Sequence, residues 1–130
     1  IEKWQLRRDE IVKKYINGLS HIDSIYLPKI FKGHSKHLFV IRLDLDKWSI
    51  TRNIFIEKMN KKGIGLAVHY KPLHQLSYYK NKYQFKIDNF PMANSLYESI
   101  ISLPIYPKLS DSSLAQIINS ITELYDLYSK

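Results

Sequence analysis

The order of apolar patterns along this chain predicts an α+β fold, in which a small antiparallel sheet of about three strands packs against helices. Two observations carry the prediction: apolar residues recur at helical spacing near both ends, and extended, alternating segments lie between them. The length of 130 residues is that of one ordinary domain. No repeat or low-complexity tract divides the sequence, so residues 1–130 are expected to form a single domain.

The N-terminal part predicts a helix followed by two strands. Apolar residues from Trp4 to Leu19 follow helical spacing, and short strands are expected over Ile22–Leu27 and His37–Asp44. The second strand is apolar on both faces, which is typical of a central position in a sheet. The sequence begins inside the helical pattern with no capping residue before it, so we expect it to be part of a longer protein.

A second helix and a third strand are expected in the middle of the chain. Thr51 is a suitable N-cap for a helix over Arg52–Lys62, and Gly63 suits the left-handed position that follows it. Alternating residues then predict a strand over Ile64–Tyr70.

One face of this third predicted strand carries small side chains. Gly65 and Ala67 lead along that face to His69. Small side chains leave room for another backbone, a subunit or a ligand to come close. Packing of a helix from the same chain would explain them equally well.

The C-terminal part predicts two more helices. A short apolar-patterned stretch over Leu73–Lys80 and a surface loop over Lys80–Asn89 precede a helix over Pro91–Ile100. The extended segment Ile101–Pro107 contains two prolines, which place it at an edge of the sheet or outside it. Ser110 is expected to cap the last helix.

The composition excludes several classes of protein. No apolar run approaches the roughly 18 residues that a membrane-spanning helix needs, so no membrane partner is expected. The absence of cysteine removes disulfides, thiolate catalysis and cysteine–zinc sites. These features favour a cytoplasmic protein.

Neither the net charge nor the histidine pairs by themselves indicate a nucleic-acid partner or a metal site. The net charge of +8 suits an anionic ligand, but the lysines are scattered along the chain, so a nucleic-acid partner is not expected. His34 and His37 form one close pair, and His69 and His74 form another. No cysteine or obvious third ligand completes either pair, so no metal site is expected.

The densest polar and aromatic cluster follows the third predicted strand. It consists of His69-Tyr70-Lys71-Pro72-Leu73-His74, followed by Tyr78, Tyr79 and Tyr83. Imidazole and phenol groups donate and accept hydrogen bonds and offer ring faces, which suits hydroxyl-rich, phosphorylated or aromatic ligands. From the residues alone, a ligand site and a hydrogen-bonded structural corner are equally good interpretations.

The same cluster belongs to an ordered set of motifs that resembles one family. The set is Lys62-Gly63-Ile64-Gly65, His69-Tyr70-Lys71-Pro72-Leu73-His74, Tyr78-Tyr79, Phe90-Pro91-Met92-Ala93, Ser102-Leu103-Pro104-Ile105-Tyr106-Pro107 and Leu109-Ser110. Taken in order, it resembles the C-terminal part of the DegT/DnrJ/StrS sugar aminotransferases, and it extends over essentially the whole chain. The sequence differs from the usual pattern at Asn94, where an acid commonly follows Phe-Pro-x-Ala, and at Leu66, where a small polar residue is frequent.

The resemblance implies the small C-terminal domain of a fold-type-I aminotransferase, in which a large domain, absent from this chain, holds pyridoxal 5'-phosphate. It implies transfer of an amino group from an amino acid, usually glutamate, to a nucleotide-linked 4-keto-6-deoxy sugar in bacterial surface-polysaccharide biosynthesis. It also implies an active site at a homodimer interface. None of the sixteen lysines has the serine- and glycine-rich setting of the family's cofactor lysine, so no cofactor is expected on this chain alone, and it is not expected to transaminate alone.

Carried over by position, the resemblance assigns four residues to the wall of the sugar-nucleotide pocket: His69, Tyr70, His74 and Tyr79. It assigns no catalytic, cofactor-binding or metal-binding residue to this chain. Two other hypotheses are a stand-alone binding module for anionic ligands, either nucleotide-sugars or nucleic acid, and a structural or oligomerisation domain. If a large domain normally covers part of the surface, apolar side chains such as Trp4 and Val12 are expected to be exposed.

Overall fold

A computed structural model of residues 1–130 contains five α-helices and a three-stranded antiparallel sheet, which confirms the predicted α+β fold. The helices are α1 Glu2–Leu19, α2 Arg52–Lys61, α3 Ser77–Tyr83, α4 Pro91–Ser99 and α5 Asp111–Tyr128. The strands are β1 Ile25–Tyr26, β2 Phe39–Leu43 and β3 Ile100–Leu103. Single 3₁₀ turns occupy Leu45–Lys47, Leu73–Gln75 and Ile87–Asn89.

Strand β2 lies at the centre of the sheet. It pairs antiparallel with β1, where Ile25 lies opposite Leu43, and with β3, where Phe39 lies opposite Leu103. Phe39, Ile41 and Leu43 are all buried. The central position predicted from the two apolar faces is therefore confirmed.

The third strand of the sheet is not the one that the alternating pattern predicts. The segment Ile64–Tyr70 forms only an isolated bridge between Ala67 and Ser102, whereas Ile100–Leu103 forms β3. The strand prediction for Ile64–Tyr70 is therefore wrong, because an alternating pattern does not show whether the backbone forms a continuous ladder of hydrogen bonds with a neighbouring strand. Strand β3 lies at an edge of the sheet, as the prolines that follow it predict.

The apolar core lies between the sheet and the helices, and it contains 20 buried apolar residues. Tyr15 of α1 stacks on Phe39 with ring centroids 4.9 Å apart, and its hydroxyl donates to the backbone carbonyl of Pro104 at 2.8 Å. Burial raises the pKa of Tyr15. Trp4 is 60% exposed, as expected, but the expectation for Val12 is wrong because that side chain faces the core and is 2% exposed.

The predicted helix caps are confirmed. The Thr51 hydroxyl accepts a hydrogen bond from the backbone N–H of Ile54 at 3.3 Å, and the Ser110 hydroxyl accepts one from Ser113 at 3.1 Å. Gly63 follows α2 with a φ of +76°, the left-handed conformation that favours glycine. No helix of the chain is both long and apolar enough to cross a membrane.

Helix α3 begins in the predicted apolar stretch Leu73–Lys80 and continues into the predicted surface loop Lys80–Asn89. The loop prediction is therefore wrong for residues 80–83, which are helical. Its side chains pair along one face: Tyr79 stacks on Tyr83 at 6.3 Å, and the Lys82 ammonium donates to the Tyr78 hydroxyl at 3.0 Å. Both pairs are four residues apart, and such pairs stabilise a helical turn that polar composition alone does not predict.

Helix α4 buries two polar side chains. Asn94 and Ser99 are buried, whereas Leu96 is 38% exposed. The Ser99 hydroxyl donates to the backbone carbonyl of Ser95 at 2.8 Å. Burial of such groups is tolerated because each of them finds a hydrogen-bond partner.

Candidate functional site

The segment 64–70 lies along the outer edge of β3 and presents His69 and Tyr70. Ala67 and Ser102 exchange two backbone hydrogen bonds, with N···O distances of 3.3 and 2.8 Å. Two residues after Ala67, His69 Nδ1 lies 2.8 Å from the hydroxyl of the same Ser102, which fixes the orientation of the imidazole. The ring of Tyr70 packs edge-on to that of His69 at 4.8 Å and is 72% exposed.

The small residues that lead to His69 form a face with nothing packed against it. A side chain built at Gly65 would meet no atom within 4 Å, and both Gly65 and Ala67 are exposed. Packing of a helix from this chain therefore does not explain the small residues. A cavity of about 270 Å³ adjoins them, between Gly63, Gly65 and Tyr106. We call Gly65, Ala67, His69 and Tyr70 the open face.

His74 occupies a different environment, in a buried corner. Its Nε2 donates to Asn94 Oδ1 at 2.7 Å, and its ring stacks on Phe90 with centroids 4.5 Å apart. The proton is on Nε2 because Asn94 Oδ1 can only accept, while the amide nitrogen of Asn94 donates to the carbonyl of Ile87. Gln75 also donates to Asn94 Oδ1, at 2.6 Å. His74 is therefore part of a hydrogen-bonded structural corner.

Tyr79 belongs to a row of aromatic rings on α3 and the turn after it. Neighbouring rings in the row are 5.3 to 6.3 Å apart, and the row consists of Tyr78, Tyr79, Tyr83, Phe85 and Phe90. Phe90 in turn stacks on His74, so the row joins Tyr79 to that corner. The structure thus places His69 and Tyr70 together at the edge of β3. His74 lies in the buried corner, and Tyr79 is connected to that corner only through the rings of Tyr83, Phe85 and Phe90.

Two polar residues that support these side chains were missed by the sequence analysis as site residues. Ser102 orients His69, and Asn94 orients His74. Ser102 is a short polar residue inside an otherwise apolar stretch, and that is the signal that could have identified it, because a buried polar side chain needs a partner.

A polar cleft of about 340 Å³ lies at the C-terminal end of β2, where Asp44 and Asp46 follow the strand. There the Arg42 guanidinium lies 4.2 Å from the ring centroid of Tyr26, and the Tyr26 hydroxyl donates to Asp44 at 3.0 Å. The structure gathers no group of three histidine or acidic side chains that could hold a metal ion.

Comparison with known proteins identifies the family. The model of the DegT/DnrJ/EryC1/StrS aminotransferase family matches residues 1–122. The chain belongs to this family.

Relatives and solved structures of the family agree with this assignment. Protein MJ1066 of Methanocaldococcus jannaschii is 36% identical over 120 residues, which are 91% of this chain and 31% of the relative. The spore coat polysaccharide biosynthesis protein SpsC of Bacillus subtilis is 30% identical over 127 residues, 95% of this chain and 33% of SpsC. The putative sugar aminotransferase Spr1654 from Streptococcus pneumoniae, in its PMP form, superimposes with a TM-score of 0.85 at 32% identity, over 95% of this chain and 31% of Spr1654.

This chain therefore spans about a third of the length of the family members it matches. The family's solved structures include PLP and PMP forms of Spr1654, and full-length members use pyridoxal phosphate. The residues present here do not fit that cofactor. None of the sixteen lysines is buried, and five of them bond to surface carboxylates, whereas a Schiff-base lysine needs a desolvated or otherwise activating setting.

Proposed function

We propose that this chain forms the substrate side of a pyridoxal-phosphate-dependent aminotransferase that transfers an amino group from an amino acid, glutamate, to a nucleotide-linked keto-sugar. The reaction belongs to surface-polysaccharide biosynthesis and takes place in the cytoplasm. The chain acts together with a large domain that holds the cofactor, within a homodimer, and is not catalytically complete alone.

The observation that carries the proposal is the open face. Gly65 and Ala67 are exposed, and a side chain built at Gly65 would meet no atom within 4 Å, so the backbone that leads to His69 can be approached closely. In a family member this arrangement allows a ligand or another backbone to approach the imidazole closely. SpsC, which acts in spore coat polysaccharide biosynthesis, and the putative sugar aminotransferase Spr1654 favour a sugar as the ligand.

We assign different roles to the four residues of the proposed pocket wall. His69 has one ring nitrogen held by Ser102, so its other nitrogen can bond to a sugar hydroxyl or carbonyl. Tyr70 adds an exposed ring and hydroxyl next to it. His74 and Tyr79 form the second part of the wall, where the buried corner and the aromatic row fix the turn that follows the open face.

Filling the open face tests this proposal in the full-length protein. Ala67→Leu should raise KM for the keto-sugar about tenfold, on the order of one lost hydrogen bond, because the added side chain occupies the approach to His69. The matched control is Ala115→Leu, which enlarges an exposed alanine on α5 away from the open face. Equal sugar kinetics in the two variants would contradict the proposal.

A further inference from the structure

A small cavity lies between the 3₁₀ turn Leu73–Gln75, helix α3 and the turn that follows it. Its volume is about 190 Å³, and its lining includes Lys71, His74, Gln75 and Lys80. Pockets that enclose a whole small molecule are larger, at roughly 300–1,000 Å³. The cavity therefore suits one polar group of a ligand better than an entire substrate.

The charge around this cavity is positive and uncompensated. Lys71 and Lys80 take part in no ion pair, whereas five other lysines of the chain bond to carboxylates. Residues 69–87 include four lysines and no acidic residue. A concave surface with charge of one sign concentrates ligands of the opposite sign.

His74 provides a rigid part of the lining. Its Nε2 donates to Asn94, and Phe90 covers one face of the ring. The imidazole lines the cavity. A ligand in the cavity therefore meets two free ammonium groups beside a ring whose position is set by the buried corner.

We propose that this cavity binds a phosphate group. Lys71 and Lys80 supply the charge, and His74 forms a rigid part of the same lining. The assignment of that phosphate to a nucleotide-linked sugar rests on the proposed function, whereas phosphate binding itself does not. Lys71 of the cavity follows Tyr70 of the open face in the chain, and under the proposed function one ligand with a sugar and a diphosphate uses both sites.

Calorimetric titration of the 130-residue chain with inorganic pyrophosphate, UDP and uridine tests the phosphate site. The double variant Lys71→Gln/Lys80→Gln removes both charges from the cavity. The control Lys29→Gln/Lys32→Gln removes two exposed lysines that also make no ion pair, so the two variants have the same net charge. Circular dichroism verifies that all three proteins are folded.

We expect pyrophosphate and UDP to bind and uridine not to bind. The cavity variant should bind both phosphate ligands at least about tenfold more weakly, since each charge-assisted hydrogen bond contributes about that factor. The control should bind as the unmodified chain does. Equal weakening in both variants would indicate a general charge effect and overturn the proposal, as would the absence of pyrophosphate binding.

Competition with a UDP-linked hexose separates this proposal from the proposed function. Pyrophosphate binding that the sugar nucleotide displaces supports both. Pyrophosphate binding that is lost in the cavity variant but is not displaced by the sugar nucleotide supports the phosphate site and contradicts the nucleotide-sugar assignment.

Discussion

His74 Nε2 donates a hydrogen bond of 2.7 Å to Asn94 Oδ1, and each of the two residues is only 7% exposed. This contact joins the turn after the open face to helix α4. The family resemblance leads one to expect an acid at position 94, and the structure has a neutral amide there that also accepts from Gln75 and donates to the carbonyl of Ile87. A neutral hydrogen-bond network thus connects the two elements in this chain.

Removal of the Asn94 amide should destabilise the fold. Asn94→Ala leaves the His74 donor and the Ile87 carbonyl without partners, so we expect the free energy of unfolding to fall by about 1–3 kcal/mol. Asn53→Ala is the control, because Asn53 is exposed and makes no side-chain hydrogen bond. Urea unfolding measures both, and equal midpoints would show that the network does not stabilise the corner.

The two glycines on either side of Ile64 should respond differently to substitution by alanine. Gly63 has a φ of +76°, so Gly63→Ala places a side chain in the left-handed region and should cost about 1 kcal/mol. Gly65 has no positive φ and open space around it, so Gly65→Ala should leave stability unchanged or slightly higher. Thermal unfolding of the two variants checks this, and a larger loss at Gly65 would show that its surroundings are not open.

The Asp111 carboxylate should contribute to stability in a pH-dependent way. Hydrogen bonds from Lys14 and Arg7 lower the pKa of Asp111 below its ordinary value of 3.8. A carboxyl whose folded-state pKa is depressed stabilises the fold above its unfolded-state pKa, and that contribution is lost as the pH falls through the folded-state value.

We therefore expect Asp111→Asn to be slightly less stable than the unmodified chain at about pH 5 to 7, where an ordinary carboxyl group is ionised. This stability difference should decrease below pH 3.8. Unfolding midpoints measured across this range provide the test. Asp126→Asn removes another acid of α5 that makes no ion pair, and it should show no such pH-dependent loss. A constant difference between Asp111→Asn and the unmodified chain at all pH values would contradict the account.

The exposed apolar side chains of α1 should make the isolated chain self-associate or bind hydrophobic dyes. Trp4 and Leu6 are 60% and 64% exposed and line a common cavity of about 420 Å³ with Pro107. Trp4→Ser/Leu6→Ser should reduce dye fluorescence and the apparent mass in light scattering. Leu127→Ser, which removes another apolar side chain that is 61% exposed, should change neither. A clean monomer without dye binding would contradict this expectation.

Much of the fold could be predicted from local signals. Thr51, Ser110 and Gly63 act within one or two turns of their own positions, so their roles are encoded in short segments. The assignment of the third strand failed because both candidates, Ile64–Tyr70 and Ile100–Leu103, are extended, and only the long-range pairing with β2 distinguishes them.

The candidate site was predicted as one cluster, but the structure divides it into two environments. Consecutive residues of the His69–His74 motif diverge because Ser102 holds the first histidine and Asn94 holds the second. These partners are 33 and 20 residues away in the chain, so spacing within the motif does not reveal them. Helix α3 was missed for a related reason, since stacking between Tyr79 and Tyr83 depends on side-chain pairing more than on composition.

The central claim, that the open face serves the sugar and not the cofactor, is tested most directly by measuring the two half-reactions separately in the full-length enzyme. For His69→Ala and Tyr70→Ala, the account predicts an unchanged amino-donor half-reaction and a loss of about tenfold or more in kcat/KM for the keto-sugar. His21→Ala, which removes an exposed histidine elsewhere, should leave both half-reactions unchanged. Unchanged sugar kinetics in both open-face variants, or an equal loss in the two half-reactions, would contradict the claim.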